Sequence, residues 1–362
     1  MKIELYSPTI RRKEMDAVLT AMVEDRIGPG ERARLLIQTA KEFLRFEYAL
    51  SLRSPAIALY LALKALDLED GQGVLVSALS PRYYTRVIEG LRLKPVYCDV
   101  SSALPCISRE TAEKALGGNA GGEKPDIRCI ALHHTLGFQP DTASIAELGL
   151  PVIEDISQSY GVFPADSSGG GRKGEEIPEN SRGERARGVF TILGLEERDM
   201  LTSGGGALLC AGSRRDASVL KNYGDLPPEY CLPDLNAALA AVQFRETAKN
   251  LERRKEIARI YTQASLRTRH RRFIPLDEGE YNNYAFPLVL ETGLKDVMSY
   301  ARKKEIAVES AFGDTPAGQG LSDPELCPES YSLSLRTVLF PLYPRLRSQE
   351  AERVSKLIMT LP

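Results

Sequence analysis

The chain has 362 residues, 43% of them hydrophobic and 27% charged, enough to bury a sizeable core and to divide into two domains. Its 47 basic and 49 acidic residues leave a formal charge of -2, which excludes a global field that would draw in nucleic acid or an anionic membrane. The six cysteines form neither a C-x-x-C pair nor a regular framework, the opening "MKIELYSPTI" has no apolar leader core, and no apolar run matches a bilayer's thickness. Reduced thiols in a cytoplasmic protein are therefore expected, with no disulfide and no metal site.

In chain order, "RRKEMDAVLTAMVED" predicts an amphipathic helix with Met15, Val18, Leu19 and Met22 on one face, and "ERARLLIQTAKEFLRFEY" predicts a second with Leu35, Leu36, Ala40, Phe43 and Leu44. "AIALYLALKALDLED" is apolar on nearly every side and reads as a buried helix. Short apolar strands then alternate with helices: "GVLVSAL", "YTRVIEGLRL", "KPVYCDV", "RETAEKAL", "IRCIALHH", "ASIAELG" and "LPVIEDIS". That alternation predicts a mostly parallel sheet wrapped by helices, an α/β fold. Ligands of such sheets sit at the carboxyl ends of the strands, which here carry Ser77, His133, His134 and Asp155. Residues 166–188 are rich in Gly, Ser and charge and read as an exposed loop, their triple glycine matching no phosphate-binding pattern. A long helix from "LPDLNAALAAVQFRETAKNLERRKEIARIY", with Leu235, Ala238, Leu239, Val242 and Phe244 early on, opens a smaller α+β unit. Its stretch "RETAKNLERRKE" alternates in sign and reads as a solvated helix face. The expected division is 1–235 for the large domain and 236–362 for the small one.

The segments "IELYSPTIRRKEMDAVLTAM", "ALYLALKAL", "KPVYCDV", "HTLGFQPD", "LPVIEDISQSYG", "LTSGGGALL" and "LFPLYPRLRSQEAERVSKLI", in this order, resemble the DegT-type sugar-nucleotide aminotransferases. These are fold type I enzymes of sugar and polysaccharide biosynthesis that use pyridoxal phosphate (PLP). The resemblance implies a large PLP-transferase-like domain and a small C-terminal domain. It also implies an active site formed across a dimer and a nucleotide-sugar ligand. The chemistry needs a lysine amine to form a Schiff base and shuttle a proton, and a carboxylate on the pyridine nitrogen. An aromatic ring stacks on the pyridine, and backbone N–H groups at a helix start hold the phosphate.

Asp155 matches the pyridine carboxylate, Gln158 the residue that meets the ring hydroxyl, and Thr191 a position that is often serine. An isolated Asp at a strand end also reads as a plain turn cap. The lysine is missing. Its position falls on Asp199 when counted back from Leu201 and Thr202, or on Glu196 when counted forward from Phe190, and no lysine lies between Lys173 and Lys221. Arg198 stays protonated and forms no Schiff base. Some relatives replace the lysine by histidine and run a dehydration, yet His133, His134 and His270 all lie outside this segment. Pro55 and Ala56 stand where the family has a Gly-Thr pair that donates to phosphate, and each lost donor costs about 1.5 to 3 kcal/mol. The stacking ring aligns with Pro81, with Tyr83 or Tyr84 near enough to take its place, and Glu229 aligns with an asparagine that reaches phosphate from the neighbouring subunit.

Three readings follow. The chain is a degenerate family member that binds a nucleotide-sugar or pairs as a homodimer, or as a heterodimer with an active paralogue, and carries no covalently bound cofactor. Alternatively it is an active sugar aminotransferase or dehydratase with altered chemistry, holding PLP or pyridoxamine phosphate (PMP) non-covalently and using Glu196, Glu197 or Asp199 as base. A plain scaffold is the third. The adjacent His133 and His134 point to opposite faces, so they do not chelate one ion together.

Overall fold

A computed structural model describes residues 2–118, 125–162, 188–275 and 281–362. The predicted loop at 166–188 lies outside them, apart from Gly188. The chain opens with α1 (Arg12–Val23), α2 (Glu31–Leu44), β1 (Tyr48–Leu52) and α3 (Pro55–Ala65). It then alternates through β2 (Gly73–Ser77), α4 (Tyr83–Gly90), β3 (Lys94–Cys98), α5 (Arg109–Gly117), β4 (Ile127–His133), α6 (Thr142–Ala146), β5 (Val152–Asp155) and β6 (Phe190–Gly194). After β7 (Ala207–Ala211) and α7 (Arg214–Lys221), the long α8 (Asp234–Ser265) leads to β8 (Phe286–Val289), α9 (Leu294–Lys303), β9 (Glu309–Ser310), α10 (Pro328–Arg336), β10 (Thr337–Phe340) and α11 (Ser348–Met359).

The large sheet has the order β1-β7-β6-β5-β4-β2-β3. Strands β3, β2, β4, β5 and β6 run parallel, and β7 pairs antiparallel with both β6 and β1. The α/β alternation read from the sequence is thus realised, and both faces of the sheet are covered. One core forms between the sheet and α3, α4 and α7, and holds Leu59, Leu63, Val76, Tyr84, Ile153 and Ile192. Another packs Leu36, Ala40, Leu193, Leu208 and Phe244 on the opposite face. The helix α8 serves two cores: Ala237, Ala240 and Phe244 join the sheet, whereas Ile257, Ala258 and Tyr261 join Ile3 and the small antiparallel sheet β8-β10-β9.

The structure corrects two details of the expected patterning. The apolar stripe of α1 faces outward, with Met15 49%, Leu19 55% and Met22 52% exposed, while Glu14 and Ala21 are the buried residues. Glu14 tolerates burial because its carboxylate accepts the Arg11 N–H at 3.0 Å and the Gln243 side-chain amide at 3.2 Å. The charged part of α8 is also not wholly solvated, because Arg254 is 5% exposed. Its Nη1 lies 2.7 Å from Tyr284 O, 2.9 Å from Leu342 O and 3.3 Å from Asn283 O. Three backbone carbonyls hold that charge inside. Among the described residues no helix is long and apolar enough to cross a membrane.

Candidate functional site

Strand β5 ends on Asp155, between β4 and β6 at the carboxyl edge of the parallel strands. Side chains alternate along a strand, so Asp155 shares the face of Ile153, and Glu154 takes the other. Thr191 pairs with Glu154 in the register of β5 and β6, and it therefore sits on the face away from Asp155. The structure does not bring Thr191 to the Asp155 cluster.

Asp155 is 1% exposed and accepts four hydrogen bonds. Ser157 donates its N–H to Oδ1 at 3.0 Å and its hydroxyl to the same oxygen at 2.5 Å. Tyr83 donates to Oδ2 at 3.1 Å and Tyr84 at 2.7 Å. The two rings meet edge to face with centroids 4.9 Å apart, and Tyr84 in turn meets His133 at 6.0 Å. Burial, followed by the negative charge of Asp155, pushes both phenols well above their ordinary range. They remain donors at any working pH. His133 is held neutral, its burial lowering it to about 4, and its Nδ1 lies 3.1 Å from Thr135 Oγ1.

The segment that carries Glu196 and Asp199 is a closed turn. Leu195 donates to Gly206 O and accepts from Ser203 and Gly205, so the chain folds back on itself between β6 and β7. Inside that turn Asp199 Oδ2 accepts the Glu196 N–H at 2.9 Å. Burial raises the Asp199 carboxyl to about 7, with Asp155 and Glu196 adding like charge. Burial raises Glu196 as well. Gly194 is where these parts touch: a Cβ there would lie 2.3 Å from Asp199 Oδ2, 2.7 Å from Ser157 Oγ and 3.1 Å from Pro55 Cγ. The Gly194 N–H donates to Ser157 Oγ at 2.7 Å, which joins the turn to the Asp155 network.

Pro55 and Ala56 form the first residues of α3, directed at this point. Ser54 caps the helix by accepting the Ile57 N–H at 3.3 Å, and Pro55 has no N–H. The first turn therefore has little left to offer a phosphate. Gln158 is committed elsewhere: its Oε1 accepts the Leu136 N–H at 2.6 Å, and its backbone oxygen accepts from Asn282 at 2.7 Å. Pro81 lies just before Arg82, the N-cap of α4, and Glu229 is exposed in a turn before α8. Asp155, Pro55, Glu196 and Asp199 are thus brought together, whereas Thr191 lies on the other face of the sheet and Glu229 is exposed.

Beyond the predicted positions, Tyr6 and Tyr284 face Asp199. Burial raises Tyr6 to about 12 and raises Tyr284 too, with the Asp199 charge contributing to both. Both tyrosines border a cavity of about 50 Å³ that Arg198, Arg254 and Glu309 also line, and Arg198 reaches Glu309 of the small sheet at 2.6 Å. That volume is far below the roughly 300–1,000 Å³ of small-molecule pockets. No motif in the sequence singles out Tyr6 or Tyr284, since they approach Asp199 only through the packing of the two sheets. On the opposite face, His134 Nδ1 lies 2.7 Å from Ser159 Oγ, its Nε2 lies 3.0 Å from Glu154 Oε1, and Thr142 donates to the same carboxylate oxygen at 2.8 Å. His133 and His134 therefore diverge. Among the described residues no cluster of three or more His, Cys, Asp or Glu could hold a metal ion.

Comparison with solved structures places the fold. The aminotransferase TlmJ from Streptoalloteichus hindustanus superposes with a TM-score of 0.82 at 19% identity, covering 99% of this chain and 98% of that one. A putative sugar aminotransferase from Streptococcus pneumoniae in its PMP form gives 0.83 at 18% identity, covering 99% and 97%. A GDP-4-keto-6-deoxymannose-3-dehydratase variant with bound GDP-perosamine gives 0.80 at 13% identity, covering 98% and 100%. The model of the DegT/DnrJ/EryC1/StrS aminotransferase family matches residues 8–174 and 208–359, and the Asp199 turn falls between the two stretches. With most of its length matched, the chain belongs to the DegT/DnrJ/EryC1/StrS aminotransferase family.

Proposed function

We propose that this chain is a family member that does not transaminate and that it serves sugar or polysaccharide biosynthesis as a binding or partner subunit. The observation that carries this reading is Asp199. The lysine aligns with Asp199 or with Glu196 according to the anchor used, and both are acids of one turn, the Asp199 carboxyl accepting the Glu196 N–H. A carboxylate can move a proton but cannot form a Schiff base. No amine lies between Lys173 and Lys221 to replace it.

The partner we propose is a second copy of this chain or an active paralogue, and the ligand a nucleotide-sugar. Support for association comes from α1 and the residues after it, where Met15, Leu19, Met22, Val23 and Ile27 are all exposed. Residues 15, 19, 22 and 23 share one side of a helix, and an apolar stripe of this kind marks an interaction surface. The experiment is purification with added PLP, followed by borohydride reduction and peptide mass spectrometry. No reduced coenzyme adduct is expected on any lysine; an adduct overturns the reading. Co-purification of two differently tagged chains tests the pairing, and calorimetry with nucleotide-sugars tests the ligand.

A further inference from the structure

Asp155 is the group through which a family member would hold a pyridine ring, and in this chain both of its oxygens are engaged. A carboxylate offers about four lone-pair directions. Ser157 fills two of them through its N–H and hydroxyl, and the hydroxyls of Tyr83 and Tyr84 fill the other two. A pyridinium N–H would have to displace a tyrosine to reach either oxygen. We infer that Tyr83 and Tyr84 have taken the coenzyme's place on Asp155, so that this chain is closed to PLP and PMP alike by its own side chains. The inference rests on the family reading of Asp155, but it is separate from the missing lysine: a chain without that amine could still hold PMP by its ring and phosphate.

Three further features agree. Tyr84 is 1% exposed and belongs to the core beneath α3 and α4, packed edge-on against His133. Its ring cannot swing aside without opening that core, and interiors are packed too densely to absorb such a movement cheaply. At the start of α3, Pro55 supplies no N–H and Ser54 already holds the Ile57 N–H. On the third side, Asp199, Ser157 and Pro55 crowd Gly194 so closely that a Cβ there would collide with Asp199 Oδ2 and Ser157 Oγ.

The probe is PMP, which lacks an aldehyde and so reports on the cleft without any contribution from a lysine. Calorimetric titration of the full chain should show no saturable binding at millimolar PMP. The double variant Tyr83→Ala/Tyr84→Phe removes both hydroxyls and one ring, and it should bind PMP at least about tenfold more tightly than the parent, a gain of about 1.4 kcal/mol. Should that variant fail to fold, Tyr83→Phe/Tyr84→Phe keeps both rings, frees Oδ2 and is held to the same expectation. Saturable binding to the parent chain overturns the inference. So does a folded double variant that binds no better than the parent, since the tyrosines would then not be what closes the cleft. Neither result bears on covalent trapping, so failure here and failure of the proposed function remain distinguishable.

Discussion

Tyr84 donates its hydroxyl to Asp155 Oδ2 at 2.7 Å from a position where both residues are 1% exposed. A buried hydrogen bond to a charged group contributes about 1.5 to 3 kcal/mol, and its loss leaves a buried carboxylate short of a donor. Tyr84→Phe should therefore destabilise the fold by about that amount in urea unfolding. Tyr83→Phe should cost less, because its bond is longer at 3.1 Å and its ring is only half-buried. Equal, negligible effects of the two changes would mean that the Asp155 network is not a stabilising element.

Asp199 and His133 tilt the pH dependence of stability in opposite directions. The folded chain raises Asp199 from 3.8 to about 7. Between those values the native state keeps a proton that the unfolded chain has released, so this contribution is present below pH 3.8 and is lost as pH rises to about 7. His133 is lowered from 6.5 to about 4. Its contribution is present above pH 6.5 and is lost as pH falls to about 4. The two windows overlap between about pH 4 and 6.5, where the slopes oppose each other, each bounded by about 1.4 kcal/mol per pH unit. Asp199→Asn should leave a profile that climbs with pH in that window, and His133→Gln one that descends. Urea midpoints measured at several pH values decide the matter, and profiles parallel to the parent in both variants would refute it.

The buried pair on the other face of the sheet gives a third expectation. Burial alone would raise Glu154, but the hydrogen bond and charge of His134, with help from Thr142, outweigh it and hold the carboxyl below its usual range. Both side chains are nearly inaccessible, at 2% and 1%. Removing one member of a buried pair leaves the other charge uncompensated, at a cost of about 3–5 kcal/mol. His134→Ala should show that loss, and Glu154→Gln should lose less because the amide oxygen still accepts from Thr142. A double-mutant cycle measures the coupling, and a coupling near zero would show that the two residues act independently.

The parallel sheet was legible because buried parallel strands are written as continuous apolar runs separated by helices, and Asp155 stood out because it ends one of them. The exposed stripe of α1 was not. Periodicity shows that Met15, Leu19 and Met22 share a face, but not which way that face turns. Glu14 could be placed inside only once Gln243, 229 residues further along, was known to approach it. Tyr83 and Tyr84 were visible beside the stacking position, yet their bond to Asp155 spans 72 and 71 residues and depends on how α4 packs over the sheet. That no lysine lies between Lys173 and Lys221 needed no structure. That Asp199 folds back on the Glu196 N–H did, since an insertion between two anchors says nothing about its own path.

Arg253 and Arg254 are neighbours in sequence with different work to do, and this gives the last expectation. Arg253 is half-buried, and pairs with Glu256 at 2.7 Å and with Leu346 O at 2.9 Å. Arg254 is buried, its guanidinium lowered by desolvation, with Nη1 directed at the carbonyls of Asn283, Tyr284 and Leu342. Two of these carbonyls precede β8 and the third follows β10, so one side chain of α8 ties the start of one strand to the end of its neighbour. Arg254→Met keeps most of the apolar stem but leaves the carbonyls without their donor, each at about 1–3 kcal/mol, and a total loss of about 3–5 kcal/mol is expected. Arg254→Lys should recover only part of it, because a point-like ammonium lacks the rigid planar fork. Arg253→Met, at a site where water can replace the lost partners, should stay within about 1 kcal/mol. Chemical unfolding of the three variants at one pH ranks them; a loss in Arg253→Met as large as that in Arg254→Met would show that burial of the guanidinium is not what distinguishes them.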